Sequence, residues 1–236
     1  PASRGDQAGD ARSSLENPWN YSSRNRCSWQ LSGETSLGER PPHLRHSGVT
    51  RSAFETRLVG RLRDLGLQVP DDRLRQLTHY FELLRKWSLK VNLTGFDLDG
   101  LSDQAIDRLF IEPIVASSEL RGTASLVDIG SGAGSPAIPL ALMLDGIELV
   151  MLEPRLKKTI FLREAVRELG IRGSVLSVRV EDVVGDSRML QRFDGASIRA
   201  VRLSKPILEC VARLVKVGGQ VFLFSRSEEH TSELQS

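Results

Sequence analysis

The chain of 236 residues has few cysteines, few aromatic residues and almost no net charge. Its two cysteines, Cys27 and Cys210, lie far apart, which excludes a disulfide framework and a Cys-rich zinc site and favours a reducing, cytoplasmic setting. The four histidines form no ligand cluster, so we predict no bound metal. No apolar run reaches the ~18 residues of a membrane span, so we expect no membrane partner. The net charge of +2 still permits nucleic-acid binding, because a balanced total can hide a local basic surface.

Composition divides the chain into four segments. Residues 1–48 are rich in Ser, Gly, Arg, Asn and Pro without helical or strand periodicity, so we interpret them as a disordered or non-native leader. Residues 49–121 predict a helical N-terminal extension, and residues 122–225 predict an α/β domain. Residues 226–236 follow an apolar strand abruptly and are polar, so we interpret them as a non-native tail and expect the natural chain to continue differently.

The apolar periodicity predicts the elements within these segments. Helical spacing predicts helices over about 50–66 and 71–91, and a third over 102–120 that Pro113 kinks or divides. After Gly122, strands are predicted over 125–129, 148–153, 174–181, 193–201 and 220–225, with helices over 136–144, 155–169 and 203–216. Strands and helices that alternate at this spacing predict a parallel, doubly wound sheet.

A glycine-rich turn follows the first of these strands, in the stretch VDIGSGAGSPAIPLAL. Gly130, Gly132 and Gly134 suit a sharp strand-to-helix turn where backbone approaches a ligand. Asp128 precedes the turn, where a carboxylate disfavours a pyrophosphate, and Glu153 ends the next strand, where it can accept hydrogen bonds from ribose hydroxyls. These residues predict a nucleoside cofactor site. They favour S-adenosylmethionine over a dinucleotide, and an NAD-binding oxidoreductase stays open as the alternative.

Several motifs together resemble the GidB/RsmG family of bacterial methyltransferases. The matching stretches are DIGSGAGSPAIPLAL, LEPRLKKTIFLREAVRELG, VRVED, FDGASIRAV and, upstream, RKWSLKVNLT. The resemblance covers residues 70–225 and implies a class I S-adenosylmethionine-dependent methyltransferase, which is an α/β fold with a Rossmann-like doubly wound sheet, here with a small helical N-terminal extension. On this interpretation residues 122–225 are an incomplete methyltransferase domain, because the helix and two strands that normally complete the sheet do not follow.

The resemblance also implies a function. It is methyl transfer from S-adenosylmethionine to guanine N7 of small-subunit (16S) ribosomal RNA. The expected partner is 16S ribosomal RNA or the small ribosomal subunit, and the expected protein is a cytoplasmic monomer. The alternatives are a methyltransferase of the same fold with another substrate, and a non-catalytic module that binds nucleotide or RNA.

The motifs and the resemblance together give the candidate site residues. The expected cofactor-binding set is Asp128, Gly130, Gly132, Gly134, Ser135, Glu153, Val180, Glu181 and Arg199, with Val180 and Glu181 flanking the adenine. The substrate-side candidates are Asn92, which either caps the end of its helix or lines the substrate cleft, and Arg108.

Three positions depart from the family pattern. Ser135 stands where the family usually has Phe or Leu, which removes an apolar contact to the donor. The family's R-H-x-x-D-S stretch appears here as RLFIEP at 108–113, without the histidine, and its lysine after the fifth strand corresponds to Ser225. The substrate side is therefore expected to differ in detail from the family pattern.

No catalytic acid or base is nominated. Guanine N7 carries a lone pair and no proton, so its methylation needs positioning and exclusion of water rather than a general base. Arg199 is the candidate for positioning; the alternative is a strand-end arginine paired with Asp194 or Glu181.

A run of cations lies on or near the helix predicted over 155–169. Its members are Arg155, Lys157, Lys158, Arg163, Arg167 and Arg172. They either track RNA phosphates or form a solvated helix face interleaved with Glu164 and Glu168.

Overall fold

A computed structural model describes residues 51–225 and, in the N-terminal segment, the backbone of two short strands, β1 (Tyr21–Ser22) and β2 (Arg26–Cys27). The rest of the predicted leader at 1–48 and the predicted tail at 226–236 lie outside the described residues. The division of the chain into four segments stays a prediction.

Five parallel strands form the centre of the fold. They are β3 (Ser125–Ile129), β4 (Glu148–Leu152), β5 (Gly173–Leu176), β6 (Phe193–Arg199) and β7 (Val215–Phe224), in the spatial order β7-β6-β3-β4-β5. The backbone of β2 pairs in parallel with the end of β7, and β1 pairs with β2. The central strand β3 pairs with β4 on one side and with β6 on the other, so the strand order reverses there. The predicted parallel, doubly wound sheet is confirmed.

Four of the five predicted strands have different bounds in the structure. β4 and β6 end one and two residues earlier than predicted, and the other two strands differ by more. The strand predicted over 174–181 ends at Leu176, because its partner β4 ends at Leu152, which faces Leu176. The chain then forms the short helix α7 (Val180–Val183). The last strand begins earlier than predicted, at Val215, and runs for ten residues.

Helices cover both faces of the sheet. On one face α5 (Ala137–Met143) and α6 (Leu156–Glu168) pack in one apolar cluster with the N-terminal helices. On the other face α7 and α8 (Lys205–Leu214) pack in a second apolar cluster. Within the described part of the chain, no helix is long and apolar enough to cross a membrane.

The N-terminal extension is helical, as predicted. It contains α1 (Arg51–Asp64), α2 (Asp71–Ser88), α3 (Asp103–Ile106), a π-helical turn (Asp107–Ile111), α4 (Glu112–Ala116) and a 3-10 turn (Ser117–Leu120). Phe54 stacks on Phe81 with ring centroids 4.1 Å apart, and Phe110 of the π-helical turn packs against both rings. The chain stays helical from Asp103 to Leu120 and is not divided at Pro113; the helix type changes from α to π at Asp107 and back to α at Glu112, with Pro113 in the first turn of α4.

The π-helical turn is buried against the sheet, unlike the surface helices. Asp107, Leu109, Phe110 and Ile111 are all buried, as is Glu112 at the start of α4. Two charged residues in this buried stretch need partners inside the protein, since an unpaired buried charge is strongly unfavourable. Asp107 accepts two hydrogen bonds from Arg61 of α1. The partners of Glu112 lie at the carboxyl end of the sheet, next to the glycine turn.

Candidate functional site

The glycine turn joins β3 to α5 at the carboxyl end of the central strand. Gly130, Gly132 and Gly134 all have positive φ, at 69°, 52° and 89°. A Cβ on Gly130 would lie 2.6 Å from the Val201 side chain, and one on Gly134 would lie 2.5 Å from Ile138. These two glycines are therefore required by packing as well as by backbone conformation.

Gly132 differs from its two neighbours because its environment is open. A Cβ on it would meet only the Gly130 carbonyl at 3.6 Å and the Lys158 ammonium nitrogen at 3.9 Å. Its backbone is thus the part of the turn that a ligand can approach. The turn is also tied to β4, since the amides of Gly130 and Ser131 donate to the Leu152 carbonyl at 2.8 and 3.1 Å.

Glu153 follows β4 directly and holds the turn through its carboxylate. One oxygen accepts a hydrogen bond from the Gly132 amide and the other from the Arg155 amide, both at 2.9 Å. The residue is 5% exposed. A carboxylate has about four acceptor positions, so each oxygen can accept a further hydrogen bond from a ligand beside Gly132.

Asp128 lies on β3 and is 1% exposed. The register places it opposite Ser197 of β6, whose hydroxyl donates to Oδ1 at 2.6 Å. The other oxygen, Oδ2, is buried and has no hydrogen-bond partner. Burial raises the pKa of Asp128 to about 6.

Arg199 ends β6 and lies within a buried charge cluster that we call the arginine cluster: Arg108, Glu112, Ser135 and Arg199. Its Nη1 donates to the Arg108 carbonyl and, at 2.9 Å, to the Ser135 hydroxyl, while Nη2 donates to Glu112 at 2.8 Å. Arg108 also donates to Glu112, at 2.7 Å. The guanidinium of Arg199 lies over the Phe224 ring, 4.7 Å from its centroid. The cluster therefore joins the π-helical turn, the glycine turn and the sheet.

The arginine cluster was not predicted, and the alternative interpretation of Arg199 is wrong in its partner. Arg199 pairs with Glu112, whereas Asp194 pairs with Lys216 and Glu181 is exposed on α7. Burial lowers the pKa of Arg199 to about 10 and raises the pKa of Glu112, and each charge is stabilised by the other. The Nε of Arg199 is buried and has no partner.

Ser135 is directed into the protein. Its hydroxyl donates to the Leu109 carbonyl at 2.8 Å and accepts from Arg199. Ser135, which the sequence analysis treated as the loss of an apolar contact, thus makes polar contacts to the π-helical turn and to Arg199.

Tyr80 of α2 is a second contact that the sequence analysis missed. It is fully buried, and its hydroxyl donates to the Ala133 carbonyl in the glycine turn at 2.7 Å. Burial raises the pKa of Tyr80 well above its usual range. The N-terminal extension is therefore bonded to the turn at Ala133 as well as at Ser135.

The structure brings most of the predicted cofactor residues together around the glycine turn. The two residues predicted to flank the adenine differ from each other, since one is buried and the other is exposed. Asp128, the three glycines, Ser135, Glu153 and Arg199 surround the turn, as the bonds above show. Val180 packs in the apolar cluster that contains Ile129 and Leu152, the residues just before the turn and just before Glu153. Glu181 is exposed.

The two predicted substrate residues lie in different surroundings. Asn92 is exposed in the loop after α2, in a groove of about 430 Å³ formed by residues 85–99. The neighbouring Leu93 carbonyl accepts a hydrogen bond from Lys158 at 3.4 Å, which places this loop beside the glycine turn. Arg108 belongs to the arginine cluster, with its side chain 17% exposed.

Among the described residues, no group of three His, Cys, Asp or Glu side chains is placed to hold a metal ion. The one histidine within residues 51–225, His79, lies on the surface of α2 between Glu82 and Glu168. The glycine turn with its carboxylates is therefore the candidate site in this part of the chain.

Sequence comparisons identify the family. Residues 73–236 match the family described as rRNA small subunit methyltransferase G, GidB. Proteins named ribosomal RNA small subunit methyltransferase G are similar: that of Clostridium beijerinckii is 32% identical over 66% of this chain and 65% of its own length. That of Alkaliphilus oremlandii is 32% identical over 72% and 71%. A solved structure of a SAM-dependent methyltransferase from Thiobacillus denitrificans is similar at 18% identity and a TM-score of 0.39, over 48% of this chain and 47% of that chain.

The length of chain shared with the relatives is limited. The chain spans 65% of the first of them, slightly under two thirds. The strand order β7-β6-β3-β4-β5 is the one expected for the first five strands of a class I methyltransferase, so the predicted fold class is confirmed. With two thirds of its residues matched to the family, the chain belongs to the rRNA small subunit methyltransferase G family, GidB.

Proposed function

We propose that this chain binds S-adenosylmethionine at the glycine turn and catalyses methyl transfer to guanine N7 of small-subunit ribosomal RNA. The observation that carries the proposal is the family match over residues 73–236. The curated relatives are named as methyltransferases of that RNA, and the glycine turn supplies a site of the required chemistry.

The residues at the turn fit the cofactor. Glu153 would accept hydrogen bonds from the ribose hydroxyls, through the acceptor positions that the amides of Gly132 and Arg155 leave open. Two buried atoms without partners, the acceptor Asp128 Oδ2 and the donor Arg199 Nε, complement the ammonium and carboxylate groups of an amino acid. Val180 and Glu181 would flank the adenine. When bound, S-adenosylmethionine supplies an electrophilic methyl group on a positively charged sulfur.

Asp128 disfavours a dinucleotide. Its carboxylate lies directly before the turn where a pyrophosphate would bind, and like charges repel most strongly where water is excluded. Glu153 does not discriminate, because a carboxylate at its position can bind the ribose of either cofactor. A sulfonium ligand without phosphate meets no such repulsion. The glycine turn therefore favours the methyl donor over NAD as its ligand.

The chemistry asks the protein for positioning. Guanine N7 presents a lone pair without a proton, so no side chain has to remove one. The chain's contribution is to align the base with the methyl group and to exclude water. Asn92 and the groove of residues 85–99 lie beside the turn and would receive the base, with a cytoplasmic monomer acting on 16S ribosomal RNA or the small subunit.

The test is methyl transfer from labelled donor to unmodified small-subunit RNA, with the product nucleoside identified by mass spectrometry. We expect 7-methylguanosine from the wild-type chain and at least a tenfold lower rate from Glu153→Gln. Label in another nucleoside would support a methyltransferase with a different substrate. Binding of S-adenosylhomocysteine without any transfer would support a non-catalytic module. Binding of NADH in its place would overturn the proposal.

A further inference from the structure

One face of α6 leaves large side chains in solvent. Leu156 and Ile160 are 62% and 46% exposed, and both belong to residue types that are usually buried. Arg163 and Arg167 are also exposed. The four follow a spacing of i, i+4, i+7 and i+11, which places them along one stripe of an α-helix.

The cationic end of this stripe borders a cleft of about 430 Å³ between α6 and the start of β5. Three arginines line the cleft: Arg163, Arg167 and Arg172. No Asp or Glu is among the described residues that line it. Within the described residues, the cleft is therefore lined by three positive charges and no negative one, although the whole chain has a net charge of only +2.

The arginine at the centre of the stripe is held in place. Arg163 donates from Nε and Nη2 to the Val175 carbonyl at 3.3 and 3.1 Å, and the residue as a whole is exposed. Arg167 contacts Glu168 at 2.8 Å, but both side chains are largely exposed, so water screens that pair. A planar guanidinium that is already oriented suits bidentate contact with a phosphate.

The stripe also leads away from the glycine turn. α6 begins at Leu156, three residues after Glu153, and its 13 residues span ~20 Å at ~1.5 Å per residue. The two aliphatic side chains thus lie near the site, and the arginines lie one to two helical turns further on. A polyanion bound at the site can follow this path.

We propose that this stripe, Leu156, Ile160, Arg163 and Arg167 with Arg172, is a docking surface for the RNA substrate outside the methyl-transfer site. The arginines contact phosphates, and the aliphatic side chains contact exposed ribose or base. The proposal rests on the proposed function for the identity of the partner. It also divides the cation run of the sequence analysis, because Lys158 is turned toward the Leu93 carbonyl and the glycine turn instead.

The test compares two triple variants that each remove three positive charges. The first is Arg163→Ala/Arg167→Ala/Arg172→Ala. The matched control is Arg213→Ala/Arg188→Ala/Arg121→Ala. Arg213 donates to a backbone carbonyl as Arg163 does, and Arg188 pairs with a nearby carboxylate as Arg167 does. Arg121 is exposed. Arg188 and Arg213 precede β6 and β7, which lie on the opposite side of β3 from β5, and Arg121 precedes β3 itself.

Affinity for a small-subunit RNA fragment is measured against salt concentration, together with affinity for S-adenosylhomocysteine. We expect the first triple to weaken RNA binding about 10–100-fold at ~0.1 M salt and to reduce the slope of log K against log salt by about 2 to 3, one phosphate per arginine. The control should change RNA affinity less than threefold. Neither triple should change S-adenosylhomocysteine affinity.

Equal losses in both triples would overturn the proposal, because they would indicate non-specific charge. Methyl transfer to RNA by the wild type with no loss in the first triple would also overturn it while leaving the proposed function intact. A wild type that binds S-adenosylhomocysteine but no RNA would overturn both. A wild-type dimer that Ile160→Asp dissociates without loss of RNA affinity would identify the stripe as a self-association face and contradict the proposal.

Discussion

The glycine turn has two flanks that are built in different ways. On one flank, Glu153 accepts hydrogen bonds from the backbone amides of Gly132 in the turn and of Arg155 two residues further on, and keeps acceptor capacity for a ligand. On the other flank, Arg199 joins Glu112, Arg108 and Ser135 in the arginine cluster, where all but one of its nitrogens are used. The first flank is suited to binding, and the second is suited to holding the helical extension against the sheet, with Arg199 Nε as its one buried donor without a partner among the described residues.

The largest effect we expect comes from breaking the second flank. Glu112→Ala leaves the Arg199 guanidinium buried with only Ser135 and a carbonyl as partners, and removing one member of a buried ion pair costs about 3–5 kcal/mol. Urea unfolding should show this loss. Glu112→Gln, which keeps the shape and one acceptor, should lose less. A loss below ~1 kcal/mol for Glu112→Ala would mean that the cluster does not hold the fold.

The next effect is a pH dependence that Asp128 imposes on stability. Its pKa of about 6 in the folded chain exceeds its ordinary value of 3.8, so the folded chain binds this proton more tightly than the unfolded chain. Its contribution to stability is therefore full below pH ~4 and is lost as the pH rises through ~6, by about 3 kcal/mol in all.

Asp128→Asn removes this titration without changing the shape. We expect the free energy of unfolding of the wild type, measured relative to Asp128→Asn, to fall by about 3 kcal/mol between pH ~4 and ~7. Parallel pH profiles for the two proteins would show that Asp128 titrates normally.

The residues in these two predictions differ in whether the sequence alone could identify their contacts. Gly130, Asp128 and Glu153 were identified because their roles depend on neighbours close in sequence or on the register of adjacent parallel strands. The sequence did not identify Glu112 as the partner of Arg199. The two residues are 87 positions apart, and the packing of the π-helical turn brings them together. Likewise, Tyr80 reads as one more apolar position of α2, and its bond to Ala133 spans 53 residues.

The sheet shows the same limit. The alternation of strands and helices predicted the parallel, doubly wound sheet, but the end of β5 depends on where its neighbour β4 ends. Ser135 was read as a lost apolar contact, and only the packed structure shows what its hydroxyl bonds to.

A smaller effect is expected at the contact between α2 and the turn. Tyr80→Phe leaves the Ala133 carbonyl without this donor in a buried place, at a cost of about 1–3 kcal/mol in the free energy of unfolding. Thr78→Val on the same helix is the matched control, since its hydroxyl bonds only to the Leu74 carbonyl of its own helix. Equal losses in the two variants would argue against a special role for Tyr80.

The smallest effect is expected at Ser135. Ser135→Ala removes one of the acceptors of Arg199 and one donor to Leu109, while the bonds of Arg199 to Glu112 and to the Arg108 carbonyl stay. We expect a loss of about 1 kcal/mol in urea unfolding. A loss as large as that of Glu112→Ala would show that the hydroxyl, rather than the ion pair, holds the cluster together.

The most direct test of the two-flank account is calorimetric titration with S-adenosylhomocysteine of the wild type, Glu153→Gln and Ser135→Ala. The account predicts saturable binding by the wild type, at least a tenfold weaker affinity for Glu153→Gln, and an affinity within threefold of wild type for Ser135→Ala. Unchanged affinity in Glu153→Gln, or a larger loss in Ser135→Ala than in Glu153→Gln, would contradict it.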